Sequence, residues 1–140
     1  MGLSDGRSLY NHAPTVDALK GGRPTRRVLL PIIPPLDRFE QPLGLCAIQI
    51  MPRLRQDRWH LDFQWIWRTV EALVGFPFSA YGSIRWSEEF FDAVRSELGQ
   101  LSVNVPVELG ELTYVALSFH MFLDIGDEEI ARAIVLDASG

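Results

Sequence analysis

The stretch from residue 59 to residue 67 constrains the fold more than any other part of this chain, because it alternates between two kinds of side chain. Its odd positions are aromatic or aliphatic, and its even positions are polar except for Ile66. A period of two puts alternate side chains on opposite faces of a β-strand. The apolar run 46–54 precedes it, and the polar residues 55–58 lie between the two runs. The pattern therefore predicts a β-hairpin with one buried face.

Two further apolar segments predict strands. Residues 28–33 are rich in Val, Leu and Ile, as expected of a buried strand. Pro31 weakens this prediction because proline cannot donate a ladder hydrogen bond, and Pro34-Pro35 ends the segment. Residues 112–122 form the second segment.

Two short helices are expected, one near each end of the chain. The first covers residues 16–20, with Thr15 as its N-cap and Gly21-Gly22 as its end. Asp127 is expected to cap the second, which has acidic residues in its first turn and carries Ile130, Ile134 and Val135.

A longer helix is predicted to begin at Ser87, which has the side chain of an N-cap and is followed by two glutamates. Residues 69–74 could form a helical turn, but Gly75 and Pro77 are expected to break it before this helix starts. Apolar side chains at helical spacing predict the buried face of the helix. They are Trp86, Phe90, Phe91, Val94 and Leu98.

Strands and helices interleave along the chain, and the aromatic residues concentrate on one strand face and one helix face. This order predicts a single α+β domain, a mixed sheet with helices packed on one face. We expect residues 1–12 to form a flexible N-terminal arm and residues 13–140 to form the domain.

Composition excludes several classes of partner. The net charge of −5 argues against a nucleic-acid surface, and no apolar run approaches the length of a membrane span. The single cysteine cannot form an internal disulfide, and we expect a cytoplasmic protein. The three histidines, His12, His60 and His120, do not have the spacing of metal ligands, so no metal is expected.

Arg26-Arg27 and Cys46 are the first candidates for chemistry. Two adjacent guanidiniums can clamp a phosphate, although a solvated charge pair would have the same sequence. A lone thiol before an apolar strand is a candidate nucleophile, or else a small buried hydrophobic residue.

Four stretches in order carry a family resemblance: 25–28, Cys46, 68–79 and 110–122. They resemble the thymidylate synthase and dCMP hydroxymethylase superfamily. The patterns of that superfamily are Ser-Arg-Arg, then Pro-Cys-His, then Arg-Ser-x-Asp-x-x-x-Gly-x-Pro-Phe-Asn, then a Gly-Asp stretch ending His-x-Tyr. The resemblance covers roughly residues 13–135 and implies the thymidylate-synthase-like fold, a homodimer formed through a sheet face, and a pyrimidine nucleotide as substrate.

The resemblance also implies roles for individual residues. Cys46 matches the nucleophile that adds to C6 of the pyrimidine, and Glu71, where the family has aspartate, is the second catalytic candidate. Arg68 and Thr69 match the residues that hold the phosphate, Ser79 the one that reads the base, and His120 the one near the ribose. Arg26 and Arg27 match the pair that reaches the phosphate of the partner subunit. A structural Arg68–Glu71 ion pair and a structural His120 are the alternatives.

The departures from the family pattern change what is expected of the chemistry. Leu45 and Ala47 replace the proline and histidine that flank the cysteine, and Phe122 replaces a tyrosine. The chain is about half the length of a full synthase. From the resemblance, we expect these 140 residues to lack the N-terminal segment with the catalytic glutamate and much of the part that closes over folate. The resemblance implies methylenetetrahydrofolate as a possible one-carbon donor, but with these departures a methyl transfer with reduction by folate is not expected.

The leading hypothesis is binding of a pyrimidine nucleoside monophosphate or related phosphorylated metabolite, with Cys46-dependent one-carbon transfer to C5, either hydroxymethylation or methylation. This would make the protein a transferase of pyrimidine biosynthesis. Two alternatives stay open. One is a non-catalytic nucleotide-binding or scaffold subunit of the same fold, and the other is an enzyme repurposed to another small biosynthetic substrate.

Overall fold

The computed structural model describes residues 12–32, 44–122 and 126–138. The helices and strands follow in chain order: α1 (Ala13–Lys20), β1 (Val28–Pro31), β2 (Leu45–Arg55), β3 (Arg58–Trp67), β4 (Val70–Glu71), α2 (Gly75–Gln100), β5 (Val107–Ala116), β6 (Phe119–His120) and α3 (Asp127–Ala138). Together they form a single small α+β domain, as predicted from the interleaved elements.

The main sheet is mixed, with strand order β1-β2-β3-β5. β1 pairs antiparallel with β2, and β2 pairs antiparallel with β3. β3 and β5 are parallel, and α2 is the crossover between them. The short strands β4 and β6 form a separate parallel pair beyond the ends of β3 and β5.

The predicted hairpin is confirmed. β2 and β3 pair along their length, and Gln56 and Asp57 form the loop with φ values of 49° and 62°. Positive φ at both residues is the signature of the two-residue turn whose twist matches that of paired strands. The odd positions from Trp59 to Trp65 are buried, as the alternation predicted.

The core lies between helices α1 and α2 and one face of the sheet. Leu61 and Phe63 of β3 and Val94 of α2 are fully buried, and Val16 and Leu19 of α1 belong to the same cluster. The Phe63 ring contacts those of Phe90 and Trp86 edge to face, with centroids 5.9 and 6.4 Å away. The predicted apolar face of the long helix is therefore confirmed, since all five of its side chains lie in or against this cluster.

The predicted start of that helix at Ser87 is wrong. α2 begins at Gly75, and Ser87 lies in its middle with no exposed surface. The Ser87 hydroxyl donates to the carbonyl oxygen of Ser83 at 2.8 Å and accepts the indole N–H of Trp65 at 3.1 Å. Pro77 does not break the helix because it lies in the first turn, where a backbone N–H has no intrahelical acceptor.

The first helix is longer than predicted. α1 begins at Ala13, with His12 as N-cap, and Thr15 is buried inside the helix instead of capping it. Pro14 is favourable in the first turn and explains the earlier start. The predicted end is confirmed at Gly21-Gly22, where Gly22 has a φ of 61°.

The other element predictions are confirmed in part. β1 includes Pro31 at the edge of the sheet, and the predicted continuation to Ile33 lies outside the described residues. The predicted strand 112–122 is two strands, β5 and β6, separated at Leu117-Ser118. α3 begins at Asp127, whose carboxylate accepts the backbone N–H of Phe122 at 2.7 Å.

The flexible arm was predicted for residues 1–12. Residues 1–11 lie outside the described ranges, so only His12 can be compared. His12 contacts α2, with Nε2 2.5 Å from a carboxylate oxygen of Glu97 and its ring edge-on to Phe90. None of the helices in the described ranges combines the length and apolar composition needed to cross a membrane.

Candidate functional site

One end of the main sheet brings several of the predicted site residues together. The parallel strands β3 and β5 both end there, at Trp67 and Ala116, and the antiparallel β2 begins there. The backbone N–H of Arg68 donates to the carbonyl oxygen of Gly44 at 2.7 Å. This hydrogen bond fixes the segment after β3 beside the segment that leads to Cys46. The carboxyl ends of parallel strands are common positions for ligand sites.

The parallel pair β4–β6 adds two more predicted residues. Glu71 lies opposite His120, and the backbone N–H of Ala72 donates to the carbonyl oxygen of His120 at 2.8 Å. The hydroxyl of Thr69 lies 3.1 Å from Nδ1 of His120, a hydrogen bond whose direction depends on the tautomer of the ring. Residues 51 positions apart in the sequence thus form one polar contact at the end of the sheet.

The Glu71 carboxylate caps the N-terminus of α2. Its oxygens accept the backbone N–H groups of Leu73, Val74 and Gly75 at 2.5, 2.7 and 2.7 Å. The bond from Gly75, then that from Leu73, lowers the pKa of Glu71 below its ordinary 4.5. An ionised carboxylate with its oxygens so engaged holds the Glu71–Gly75 segment in place. Its role as a catalytic group stays a prediction.

We expect the Glu71 cap to make the fold acid-sensitive. Because the native pKa is below 4.5, protonation favours the unfolded chain, so the stabilisation is complete above 4.5 and is lost as the pH falls through the native value. Glu71→Gln should lower the melting temperature at neutral pH, with the difference from wild type shrinking in acid. The matched control is Glu89→Gln at an exposed position of α2. An equal difference at every pH would contradict the expectation.

Ser79 and Tyr114 are in contact at this end of the sheet, beside the aromatic rings of Trp67 and Phe76. The Ser79 hydroxyl lies 2.6 Å from that of Tyr114, and the Tyr114 ring stacks on Trp67 with centroids 5.7 Å apart. The Phe76 ring meets Tyr114 edge-on at 5.2 Å. Burial raises the pKa of the Tyr114 hydroxyl above its usual 10.0, and the hydrogen bond with Ser79 opposes that shift. The hydroxyl is therefore protonated at neutral pH and can donate.

Cys46 lies at an irregularity of β2. The register between β2 and β3 shifts between Leu45 and Ala47, so Cys46 is the extra residue of a bulge. Its side chain is half-buried, with Sγ 3.9 Å from the carbonyl oxygen of Gly44. The thiol-bearing residue is thus at the same end of the sheet as Arg68.

Arg26 and Arg27 lie elsewhere. Val28 pairs with Ile50, so the register brings Arg27 level with Met51, five residues along β2 from Cys46. At about 3.3 Å per residue, this is a separation of about 16 Å along the strand. Both guanidinium-bearing residues are exposed and line a cavity of about 550 Å³ with Arg23. Within one chain, the arginine pair and the thiol do not share a site.

Tyr114 and Trp67 are the site residues that the sequence reasoning missed. Tyr114 belongs to the 110–122 motif, in which the resemblance implies a site role only for His120. The strand alternation counted from Leu112 would have placed Tyr114 on the buried face. The indole N–H of Trp67 is buried and has no hydrogen-bond partner among the described residues.

A small cavity lies beside the aromatic residues at this end of the sheet. The cavity lined by Phe76, Tyr114 and their neighbours has a volume of about 120 Å³. Pockets that enclose drug-sized ligands have about 300–1,000 Å³, so this cavity by itself encloses neither a folate nor a whole nucleotide. Within the described ranges, no three His, Cys, Asp or Glu side chains are grouped to hold a metal ion.

No protein-family model matches this chain, and no curated protein matches it significantly. The resemblance to the thymidylate synthase superfamily therefore rests on the sequence motifs.

Proposed function

We propose that the protein binds a pyrimidine nucleoside monophosphate, or a related phosphorylated metabolite, at the carboxyl ends of β3 and β5. The observation that supports this most is the convergence of Arg68, Thr69 and His120 at that end, with the Thr69–His120 contact of 3.1 Å. Cys46 and Ser79 belong to the same region of the fold. With Glu71, which lies opposite His120, six of the eight residues for which the motif resemblance implies a role are at this end of the sheet.

Each group suits a part of such a ligand. The guanidinium of Arg68 is always charged and its planar fork matches a phosphate. The Thr69 hydroxyl and the His120 ring can exchange hydrogen bonds with phosphate or ribose oxygens. The Ser79–Tyr114 pair presents hydroxyls beside the Trp67 and Phe76 rings, a setting suited to the edge and face of a base.

The chemistry we propose starts from the Cys46 thiolate. C5 of a pyrimidine is a poor nucleophile until a thiolate adds at C6, which converts the ring into an enolate or enamine that is nucleophilic at C5. A one-carbon transfer to C5 is the reaction of the resembled superfamily. The phosphate would supply remote binding energy that holds C6 in line with the sulfur.

We also propose a homodimer formed through the sheet. α1 and α2 pack on one face, while the opposite face presents half-buried side chains such as Gln49, Gln64 and Ile66. The position of Arg26-Arg27, far from Cys46, suits a pair that serves the pocket of the neighbouring subunit.

The nucleotide proposal predicts stabilisation by ligand. A ligand that binds only the native state at 100 times its Kd adds about 2.7 kcal/mol, a shift of several degrees in melting temperature. We expect dUMP, dCMP, UMP or CMP to stabilise the wild type and Arg68→Ala to abolish the shift. Arg85→Ala is the matched control, since Arg85 is an exposed arginine of α2 that pairs with Glu88. If none of the four nucleotides shifts the wild type, the proposal is wrong.

The dimer proposal predicts complementation between subunits. Arg68→Ala and Arg27→Ala should each abolish nucleotide binding as homodimers. After mixing, unfolding and refolding together, half of the chains form mixed dimers in which one of two pockets has both arginines. Calorimetric titration should then recover about a quarter of the wild-type sites, as expected for random pairing. No recovery in a refolded mixture that contains mixed dimers would contradict the shared pocket.

A further inference from the structure

The pairing of β3 with β5 is interrupted at one point. Leu61 lies opposite Leu109 and Phe63 lies opposite Leu112, so Gly110 and Glu111 together face Asp62. Two residues against one define a β-bulge, which changes the phase of the strand.

Asp62 fills the space of this bulge. Its side chain is buried, with 3 % of the residue surface exposed, and Oδ1 accepts the backbone N–H of Glu111 at 3.0 Å. Oδ2 contacts Nη2 of Arg55 at 2.5 Å and Nε of Arg53 at 3.3 Å. Two guanidiniums therefore balance a buried charge that would otherwise be costly.

Gly110 is required by the same geometry. A β-carbon on this residue would overlap Oδ1 of Asp62 and lie 2.8 Å from the carbonyl oxygen of Leu61. The backbone of β5 can approach Asp62 this closely only because Gly110 has no side chain.

The bulge decides which side chains of β5 face the helices. Before it, Val107 and Leu109 align with the buried positions of β3, and after it Leu112 and Tyr114 do so. Without the extra residue, the alternation from Leu109 would continue to Thr113, and Tyr114 would point to the opposite face. The observed phase is the one that allows Tyr114 to reach Ser79 on α2.

We propose that Asp62 is a positioning residue, whose carboxylate holds the Gly110–Glu111 bulge and thereby places the Tyr114 hydroxyl against Ser79. Any effect of Asp62 on nucleotide binding depends on the proposed function. The placement of the Tyr114 hydroxyl by Asp62 does not depend on it.

The experiment measures the pH midpoint at which Tyr114 ionises, from the absorbance of tyrosinate. Tyr10→Phe and Tyr81→Phe are introduced first, so that Tyr114 is the one tyrosine that titrates. Asp62→Asn keeps an acceptor for the Glu111 N–H and loses the charge, so it should lower the melting temperature and leave the raised Tyr114 midpoint unchanged. Asp62→Leu and Gly110→Ala should move the midpoint toward the ordinary 10.0. A purely stabilising role would lower the melting temperature without moving this midpoint.

A folded Asp62→Leu or Gly110→Ala variant with the wild-type Tyr114 midpoint would overturn the inference. If neither variant folds, Asp62→Asn still tests the inference. In that variant the Tyr114 midpoint must stay raised, and the backbone amide of Glu111 must still exchange slowly with solvent. Loss of either would show that the acceptor does not hold the bulge. If these results hold while no nucleotide stabilises the wild type, the proposed function fails and the positioning role of Asp62 stands.

Discussion

Replacing Phe63 by alanine is expected to destabilise the fold by about 3–5 kcal/mol. Phe63 is fully buried in β3 and contacts both Phe90 and Trp86 of α2, so it joins the sheet to the crossover helix. Alanine would leave a cavity between the two layers and remove two edge-to-face aromatic contacts. Since domains of this size are stable by only about 5–15 kcal/mol, much of the native state could be lost.

Urea denaturation measures this loss, with Phe78→Ala as the matched control. Phe78 belongs to the same helix as Phe90 but is 75 % exposed, so its truncation should change the stability by about 0.5 kcal/mol or less. A Phe63→Ala variant no less stable than Phe78→Ala would contradict the account of the core.

The hairpin and the buried face of α2 could be predicted because both depend on periodicity. The four odd positions from Trp59 to Trp65 are buried as the alternation predicts, and Asp62 is the even position that departs from it. The helical spacing of Phe90, Val94 and Leu98 likewise matches their burial against the sheet. Burial of large apolar side chains is the dominant favourable term in folding, so such patterns survive in the structure.

The start of α2 could not be predicted, because a local signal and a tertiary contact compete at Ser87. Serine before two glutamates is typical of an N-cap, but the same hydroxyl can satisfy a buried indole. The structure uses Ser87 for the Trp65 N–H, 22 residues away in sequence. Only the packing of α2 on β3 makes that partner available.

The segments that form the candidate site could be identified from the sequence, but the contacts between them could not. The segment after β3 and the segment after β5 were both identified from the sequence, but the contact between Thr69 and His120 depends on the pairing of β4 with β6. The predicted strand began at Leu112, whereas β5 begins at Val107. Alternation counted from Leu112 gives the observed phase of Tyr114, but the bulge that sets this phase depends on Asp62, which is distant in sequence.

Replacing Cys46 by serine is expected to abolish chemistry at the pyrimidine ring while leaving nucleotide binding intact. A serine hydroxyl is a far weaker nucleophile than a thiolate at neutral pH, and loss of a covalent nucleophile costs several orders of magnitude in rate. Cys46 is half-buried at a bulge, and serine has nearly the same volume, so the local backbone should be retained.

Exchange of the C5 hydrogen measures this chemistry without a one-carbon donor. When the thiolate adds at C6, C5 accepts a deuteron from D₂O, loses its original proton and expels the thiolate, which regenerates the pyrimidine with deuterium at C5. Proton NMR of dUMP or dCMP should therefore show loss of the C5 signal with the wild type and not with Cys46→Ser. The nucleotide-induced shift in melting temperature should be equal in both proteins, which reports that the variant is folded and binds.

Undiminished exchange in Cys46→Ser would contradict the covalent mechanism. Binding by the wild type with no exchange would favour a non-catalytic nucleotide-binding subunit.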